Sequence, residues 1–261
     1  MMRKISLVSD EICSLPKEIV QKFEIEIVPV KVDFSQQKTS APSPGEFLKA
    51  YQKLESVSEK ILVITVSKNL SGVFNSAFSA KELFKGSSKV FLVDSESAVA
   101  GEGLVVMRAL ELIEKGKEAE EILKELEVFK KRVNTFAFLK TLSFATKTGR
   151  VLKWQKMAFD VLKALGVVPY VGIKEGKIKF LGFNTWTRDP LKAIFNQLKN
   201  VAKKGKIKVG INYTDNFEFV KNLKEKIEKE LKSEVLFCSE IPEIISQIVG
   251  PESLILAYHL S

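Results

Sequence analysis

Ile61-Leu62-Val63-Ile64-Thr65-Val66-Ser67-Lys68-Asn69-Leu70-Ser71-Gly72-Val73-Phe74 reads as a strand, a polar turn and the opening of a helix. The first six residues are β-branched or aliphatic, too few for an independent helix and too apolar for a loop. Beyond the turn, Val73, Phe74, Ala77, Phe78 and Phe84 recur at helical spacing and mark a buried stripe. A strand feeding a helix through a short turn is half of a parallel crossover unit.

The same rhythm extends in both directions. Ile5–Val8, Ile25–Val32 and Val90–Val93 are further short strands, and helices open near Pro16 and Pro44, the second continuing through Phe47, Leu48 and Tyr51. Four parallel strands with crossover helices are the economical arrangement, so the fold class is α/β. After Ser95 the pattern turns helical for a long stretch, broken at Gly116 and by the short run Thr135–Leu139, and reads as a connector. Strands then resume at Val167–Ile173, Ile178–Asn184, Lys208–Tyr213, Val235–Cys238 and Leu254–His259, with helices starting near Pro190, Phe217 and Pro242. Glu175-Gly176 has hairpin character, so this half should contain antiparallel neighbours. With a boundary near Thr148-Gly149-Arg150, the expected organisation is an N-terminal α/β domain at 1–149 and a C-terminal mixed-sheet α/β domain at 150–261.

Composition removes several function classes. The chain has 261 residues, 45% of them hydrophobic, which excludes a disordered polymer. No run approaches the roughly 18–20 apolar residues that a membrane span needs, and the start lacks the apolar core of a signal peptide, so the expected compartment is the cytosol. Cys13 and Cys238 are far apart and suggest neither a disulfide framework nor a thiolate zinc site. The single histidine, His259, leaves no multi-histidine metal centre, and it reads as an ordinary residue of the last strand. A net charge of +9 invites a nucleic-acid reading, but only five of the 41 basic residues are arginine. The lysines alternate with glutamates, as between Lys221 and Lys232, where Val220, Leu223, Ile227 and Leu231 leave the charges on the wet side. The expectation is a solvated surface and no nucleic-acid partner.

In an open parallel sheet, ligands bind outside the carboxyl ends of the strands, so the turns there are the first places to look. Ser9-Asp10-Glu11, Asp94-Ser95 and Ser67 through Gly72 are the polar ones. Ser71 before Gly72 at a helix start can offer a hydroxyl and free backbone N–H groups to an anion, or can serve as a plain N-cap. Lys38-Thr39-Ser40-Ala41-Pro42-Ser43-Pro44 crowds hydroxyls onto a segment stiffened by two prolines, and could hold Thr39 or Ser40 toward a carboxylate or phosphate, or simply lead into the helix at Pro44. Arg150, at the domain junction, can pair with an anionic group or join the domains.

Taken in order, these segments resemble the DegV family of bacterial lipid-binding proteins. Val8-Ser9-Asp10-Glu11 through Leu15-Pro16 is similar to the family's first strand and T-D-S turn, and Thr39-Ser40-Ala41-Pro42-Ser43 to T-S-Q-P-S. Ser67 to Gly72 with Asn75 resembles S-x-x-L-S-G-T, followed by Val93-Asp94-Ser95. Gly149-Arg150-Val151 is similar to G-G-R-I, Val168-Pro169 to a K-P strand, and Thr187-Arg188 to the R-x-R-x-K-A region before Lys192-Ala193. The resemblance spans essentially the whole chain. It implies a two-domain protein holding one long-chain fatty acid between its domains, with no cofactor and no catalysis of its own. The family's carboxylate-binding hydroxyls map onto Thr39 and Ser71, with Ser40 and Gly72 beside them and Arg150 and Gln247 as further neighbours. Some members present the bound acid to a separate fatty-acid kinase subunit.

The departures are specific. The family carries a longer insert where only Ser35-Gln36-Gln37-Lys38 separate Phe34 from Thr39; Val73 replaces the threonine after L-S-G, and Ala41 replaces the glutamine of T-S-Q-P. The C-terminal H-x-G-P-G motif corresponds to Gln247-Ile248-Val249-Gly250-Pro251-Glu252, with Gln247 in the histidine's place. Glutamine donates a hydrogen bond but cannot ionise, so this reading keeps fatty-acid binding and weakens presentation to a kinase. The alternative is an enzyme acting on a small phosphorylated or hydroxylated metabolite, as in the similar domain of dihydroxyacetone kinases. Its difficulty is the shortage of titratable groups near the candidate turns, where Asp10 and Asp94 are the obvious ones.

Overall fold

The computed structural model describes residues 3–33, 38–139, 142–147, 149–184, 190–215 and 217–261. The first half begins with β1 (Arg3–Asp10), α1 (Lys17–Lys22) and β2 (Glu26–Val28), then a ribbon of β3 (Lys31–Asp33) and β4 (Lys38–Ser40). It continues through α2 (Pro44–Glu55), β5 (Ser58–Thr65), α3 (Val73–Leu83), β6 (Lys89–Asp94), α4 (Ala100–Glu114) and α5 (Ala119–Phe129). Strands β2-β1-β5-β6 pair in that order, all parallel, as the alternation of short apolar runs and amphipathic stripes requires. Ile61, Leu62, Val63 and Ile64 are fully buried because helices cover both faces of the sheet.

The second half comprises β7 (Asn134–Phe138), α6 (Ser143–Lys147), α7 (Lys153–Ala164), β8 (Val168–Lys174), β9 (Lys177–Asn184), α8 (Pro190–Ala202), β10 (Ile207–Tyr213), α9 (Phe217–Glu230), β11 (Glu234–Glu240), α10 (Glu243–Val249) and β12 (Leu254–Leu260). Its six-stranded sheet runs β11-β10-β12-β7-β8-β9, parallel between β10 and β11 and antiparallel elsewhere. The β8–β9 hairpin turns at Glu175 and Gly176, both with positive φ. Among the described residues no helix is long and apolar enough to cross a membrane.

Three sequence expectations are corrected. Ile25–Val32 is two strands rather than one, because Pro29 has no N–H to give to a ladder. Phe78 is 50% exposed: Val73, Ala77 and Ala80 form the buried stripe of α3, and Phe78 lies about 100° around the helix from Ala77. Thr135–Leu139, read as a break in a connector, contributes β7, which is paired on both sides within the second sheet. That strand precedes residue 149, so the second sheet draws on both sides of the junction segment, in which Thr148 itself is outside the described residues.

The two sheets are stapled through the turns at the carboxyl ends of the first. Ser67 Oγ donates to Gly176 O at 2.9 Å and Asn69 Nδ2 to Glu175 O at 3.2 Å. The buried Asn212 donates from Nδ2 to Ser14 O at 2.8 Å, and Ser239 Oγ donates to the same carbonyl at 2.6 Å. Ser97 Oγ and Thr135 Oγ1 share a bond of 2.9 Å across the junction. All but the exposed Asn69–Glu175 contact pair groups that are buried or partly buried and would otherwise be unsatisfied.

Candidate functional site

Between the stapled sheets lies a cavity whose empty space, counting the part open to solvent, is about 880 Å3. One side is built from the loops after the parallel strands: Ile12 after β1, Val66, Leu70 and Ser71 after β5, Ala98 and Val99 after β6. The opposite side is the inner face of the second sheet. Thr135, Ala137 and Leu139 alternate inward from β7 and its end, and Val171 with Ile173 from β8, as the two-residue period of a strand dictates. Ile245 and Val249 of α10 close a further wall. Among the described residues nearly every wall is aliphatic, and the polar lining is Ser40, Ser71, Thr135 and Arg150.

Arg150 is the charged member. Its Nε donates to Leu70 O at 2.8 Å, and it has no acidic partner among the described residues. Burial without a counter-ion holds the guanidinium below its ordinary pKa. The contact to Leu70 places it beside the Ser71 turn. There α3 begins with Gly72 as its N-cap and no side-chain cap, so Ser71 is not spent on capping. A half-buried arginine, a hydroxyl and the open N-terminus of an 11-residue helix converge on the same loop. This arrangement can hold an anionic head while the aliphatic walls take an apolar tail.

A pair of buried carboxyls underlies the cavity floor. Asp10 accepts from Ile12 N at 3.0 Å and from Val66 N at 2.9 Å, so one carboxylate clamps two turns that face the cavity. Burial nevertheless raises its pKa to about 6. Glu102, in the first turn of α4, is fully buried and hydrogen-bonds Asp10; burial, followed by the neighbouring Asp10 charge, pushes its pKa well above the ordinary carboxyl range. Glu102 is therefore the protonated partner of the two.

The candidate residues of the sequence reading divide as follows. Ser40, Ser71 and Arg150 line one cavity, and exposed Gly72 adjoins Ser71 with its Cα facing Ala41. Thr39 pairs through its backbone with Val32 in the β3–β4 ribbon; its side chain, like Thr187 and Arg188, lies outside the described residues. Gln247 is exposed and does not line the cavity: Ile245 and Val249 face inward one turn apart, and a residue midway between them on a helix points the other way. Counted back from Gly250-Pro251, the spacing of H-x-G-P-G puts the motif's histidine position at Ile248 rather than Gln247; the Ile248 side chain is outside the described ones. His259 stands four residues beyond Ile255 on β12, about 13 Å along the strand, with its ring edge-on to Phe129. Among the described residues no group of three or more His, Cys, Asp or Glu is placed to hold a metal ion. The wall from Val171, Ile178, Ile245 and Ile255 was missed, since strand periodicity marks an apolar face without saying what lies across it.

Comparison with known proteins gives concordant findings. A family model described as an uncharacterised protein of the DegV family matches residues 35–259. A DegV domain-containing protein of Clostridium perfringens is 25% identical over 227 residues, covering 78% of this chain and 80% of that one. The solved structure of a DegV family protein from Thermus thermophilus, described by its fatty-acid binding, superposes with a TM-score of 0.85 at 26% identity, over 99% of this chain and 100% of that one. A DegV family protein from Eubacterium eligens, solved loaded with heptadecanoic acid, has the same fold, with a TM-score of 0.81 at 20% identity over 98% and 100% of the two chains.

Proposed function

This chain belongs to the DegV family, and from that premise we propose that it binds one long-chain fatty acid in the cavity between its sheets, carboxylate at Ser71 and Arg150 and tail along the aliphatic walls. The observation that carries this reading is Arg150, a half-buried guanidinium that holds one backbone carbonyl and lacks a carboxylate partner among the described residues. A ligand carboxylate supplies the missing counter-charge, and the Ser71 hydroxyl and the α3 N-terminus supply neutral donors. Thr39 is a second hydroxyl in the same role, with Ser40 and Gly72 flanking the head group. The fatty-acid binding of the Thermus thermophilus relative supports the choice of ligand.

The chain's own part is binding, and any phosphoryl transfer onto the acid belongs to a separate kinase subunit. Neither Gln247 nor Ile248 can ionise, so the segment before Gly250 brings no positive charge to a developing acyl phosphate, and presentation is weakened more than binding. Acyl-phosphate formation with a kinase subunit, compared among wild type, Gln247→His and Ile248→His, reads that difference directly. The test of the main proposal is denaturing extraction of the purified protein followed by mass spectrometry. One long-chain fatty acid per chain is the expected result. An empty protein that also ignores added fatty acid overturns the proposal.

A further inference from the structure

Thr135 faces the cavity from β7 among aliphatic neighbours, Ile173 opposite it in the ladder and Ala98 and Val99 of the β6–α4 loop. Its Oγ1 shares a hydrogen bond of 2.9 Å with Ser97 Oγ, and among the described residues neither hydroxyl has another partner. Two hydroxyl groups carry two protons and the shared bond uses one, so the pair holds a proton that no acceptor of the described chain receives. Both residues are buried, Thr135 at 3% and Ser97 at 4% exposure, which keeps that proton from bulk water. Ser97 is fixed from behind: its N donates to Ser95 Oγ at 3.2 Å, and its O accepts from Ser67 N at 2.8 Å. Gly101, in the first turn of α4, closes another side, where a Cβ would collide with both hydroxyl oxygens. Thr135 lines the cavity and Ser97 does not, so the arrangement that uses both protons has Ser97 donating to Thr135 and Thr135 donating into the cavity.

This donor belongs to a different loop from the head-group site. Arg150 is anchored on Leu70, after β5, whereas Ser97 follows β6. A buried donor in apolar surroundings costs free energy until an acceptor meets it. The acceptor that suits this place is a neutral oxygen rather than a second carboxylate. Arg150, the only cation of the lining among the described residues, is held at Leu70, and the Asp10 carboxyl lies under the same floor, clamped to Ile12 N and Val66 N. We infer that Thr135, backed by Ser97, binds an oxygen carried partway along the acyl chain, so that the ligand class this cavity favours is a hydroxy or oxo fatty acid; the assignment rests on the fatty-acid reading above.

The test is the dissociation constant of octadecanoic acid and of its hydroxy and oxo derivatives, with the oxygen moved stepwise along the chain, against wild type, Thr135→Val, Ser97→Ala and the double variant. A buried oxygen left without a donor weakens binding about fivefold or more, so wild type binds the isomers whose oxygen reaches Thr135 about tenfold tighter than the others. Thr135→Val abolishes that preference, while octadecanoic acid itself changes by less than about threefold. Ser97→Ala keeps the preference, because the Thr135 proton remains. The double variant removes both hydroxyls together and leaves no buried orphan, which keeps the loss of the Thr135 donor readable on a folded protein, as a thermal melt verifies. A flat series in wild type, or a preference that survives in folded Thr135→Val or the double variant, overturns the inference while leaving fatty-acid binding intact. Octadecanoic acid weakened about tenfold by Thr135→Val overturns it as well, by placing the hydroxyl at the head group. Failure of wild type to bind any acid of the series overturns the fatty-acid reading itself, and this inference with it.

Discussion

Replacing Arg150 by methionine keeps a long stem in the cavity wall while removing the charge. A hydrogen bond to a charged group contributes about 1.5–3 kcal/mol, so the loss should weaken fatty-acid binding by about tenfold to about 150-fold. The ligand-free protein should respond differently. There the guanidinium has lost hydration and gained only the Leu70 carbonyl, and burial holds its pKa below the ordinary value. Removing it gives up one hydrogen bond but also relieves that desolvation, so the melting temperature of the empty protein should change by no more than about 4 °C. At a ligand concentration of about 100 times the wild-type Kd, bound acid stabilises wild type by about 2.7 kcal/mol; a variant binding about thirtyfold more weakly is stabilised by about 0.9 kcal/mol. Calorimetric titration and thermal melts with and without fatty acid measure both quantities. Unchanged affinity would remove Arg150 from the head-group site. A loss of more than about 3 kcal/mol in the empty variant would make it a structural brace of the Leu70 turn instead.

Three further outcomes are expected. Ser71→Ala and Thr39→Ala should each weaken fatty-acid binding by about tenfold or more with cooperative unfolding retained, and wild-type affinity in a competition assay would dismiss them as carboxylate donors. Glu102→Gln should flatten the dependence of stability on pH. The folded protein holds the Glu102 proton above the carboxyl's ordinary pKa of 4.5, so this group makes wild-type stability fall as pH rises through that window; Asp10, raised to about 6, adds to the fall at the low end, His259, lowered by burial, opposes it there, and the thiols of Cys13 and Cys238, raised by burial, add to it toward about pH 9, all of which both proteins share. Urea titrations from about pH 6 to about pH 9 compare the slopes, and equal slopes in both proteins would mean that Glu102 is not held protonated. Gly176→Ala should cost at least about 1–2 kcal/mol, because φ is +72° and the new Cβ would stand 2.3 Å from Ser67 Oγ; a variant as stable as wild type would show that the hairpin turn does not depend on that close approach.

The alternation of short apolar strands with amphipathic helices was enough to place four parallel strands and to identify a second, mixed sheet, because strand and helix periods are local properties of the chain. It failed where local pattern and pairing diverge. Thr135–Leu139 is too short to distinguish from a break in a helical region until β12 and β8 are found on either side of it. Phe78 obeys the helical stripe of α3 only loosely, and which of two adjacent apolar residues is buried depends on how the helix is rotated against the sheet.

The site follows the same division. That Ser71 ends a strand-turn-helix unit, and that Arg150 is one of few arginines and adjoins a glycine, can be read from the chain alone, since turn chemistry and charge belong to the residues themselves. That the two meet through Leu70, 80 positions before Arg150, was decided by the packing of one sheet against the other. Tertiary structure alone also turned Gln247 outward, aimed Ile245 and Val249 inward, and set Val171 and Ile178 in the cavity wall. The physical reason is that a side chain's period names the face it occupies, whereas the space in front of that face is created only when another element, distant in the chain, packs opposite it.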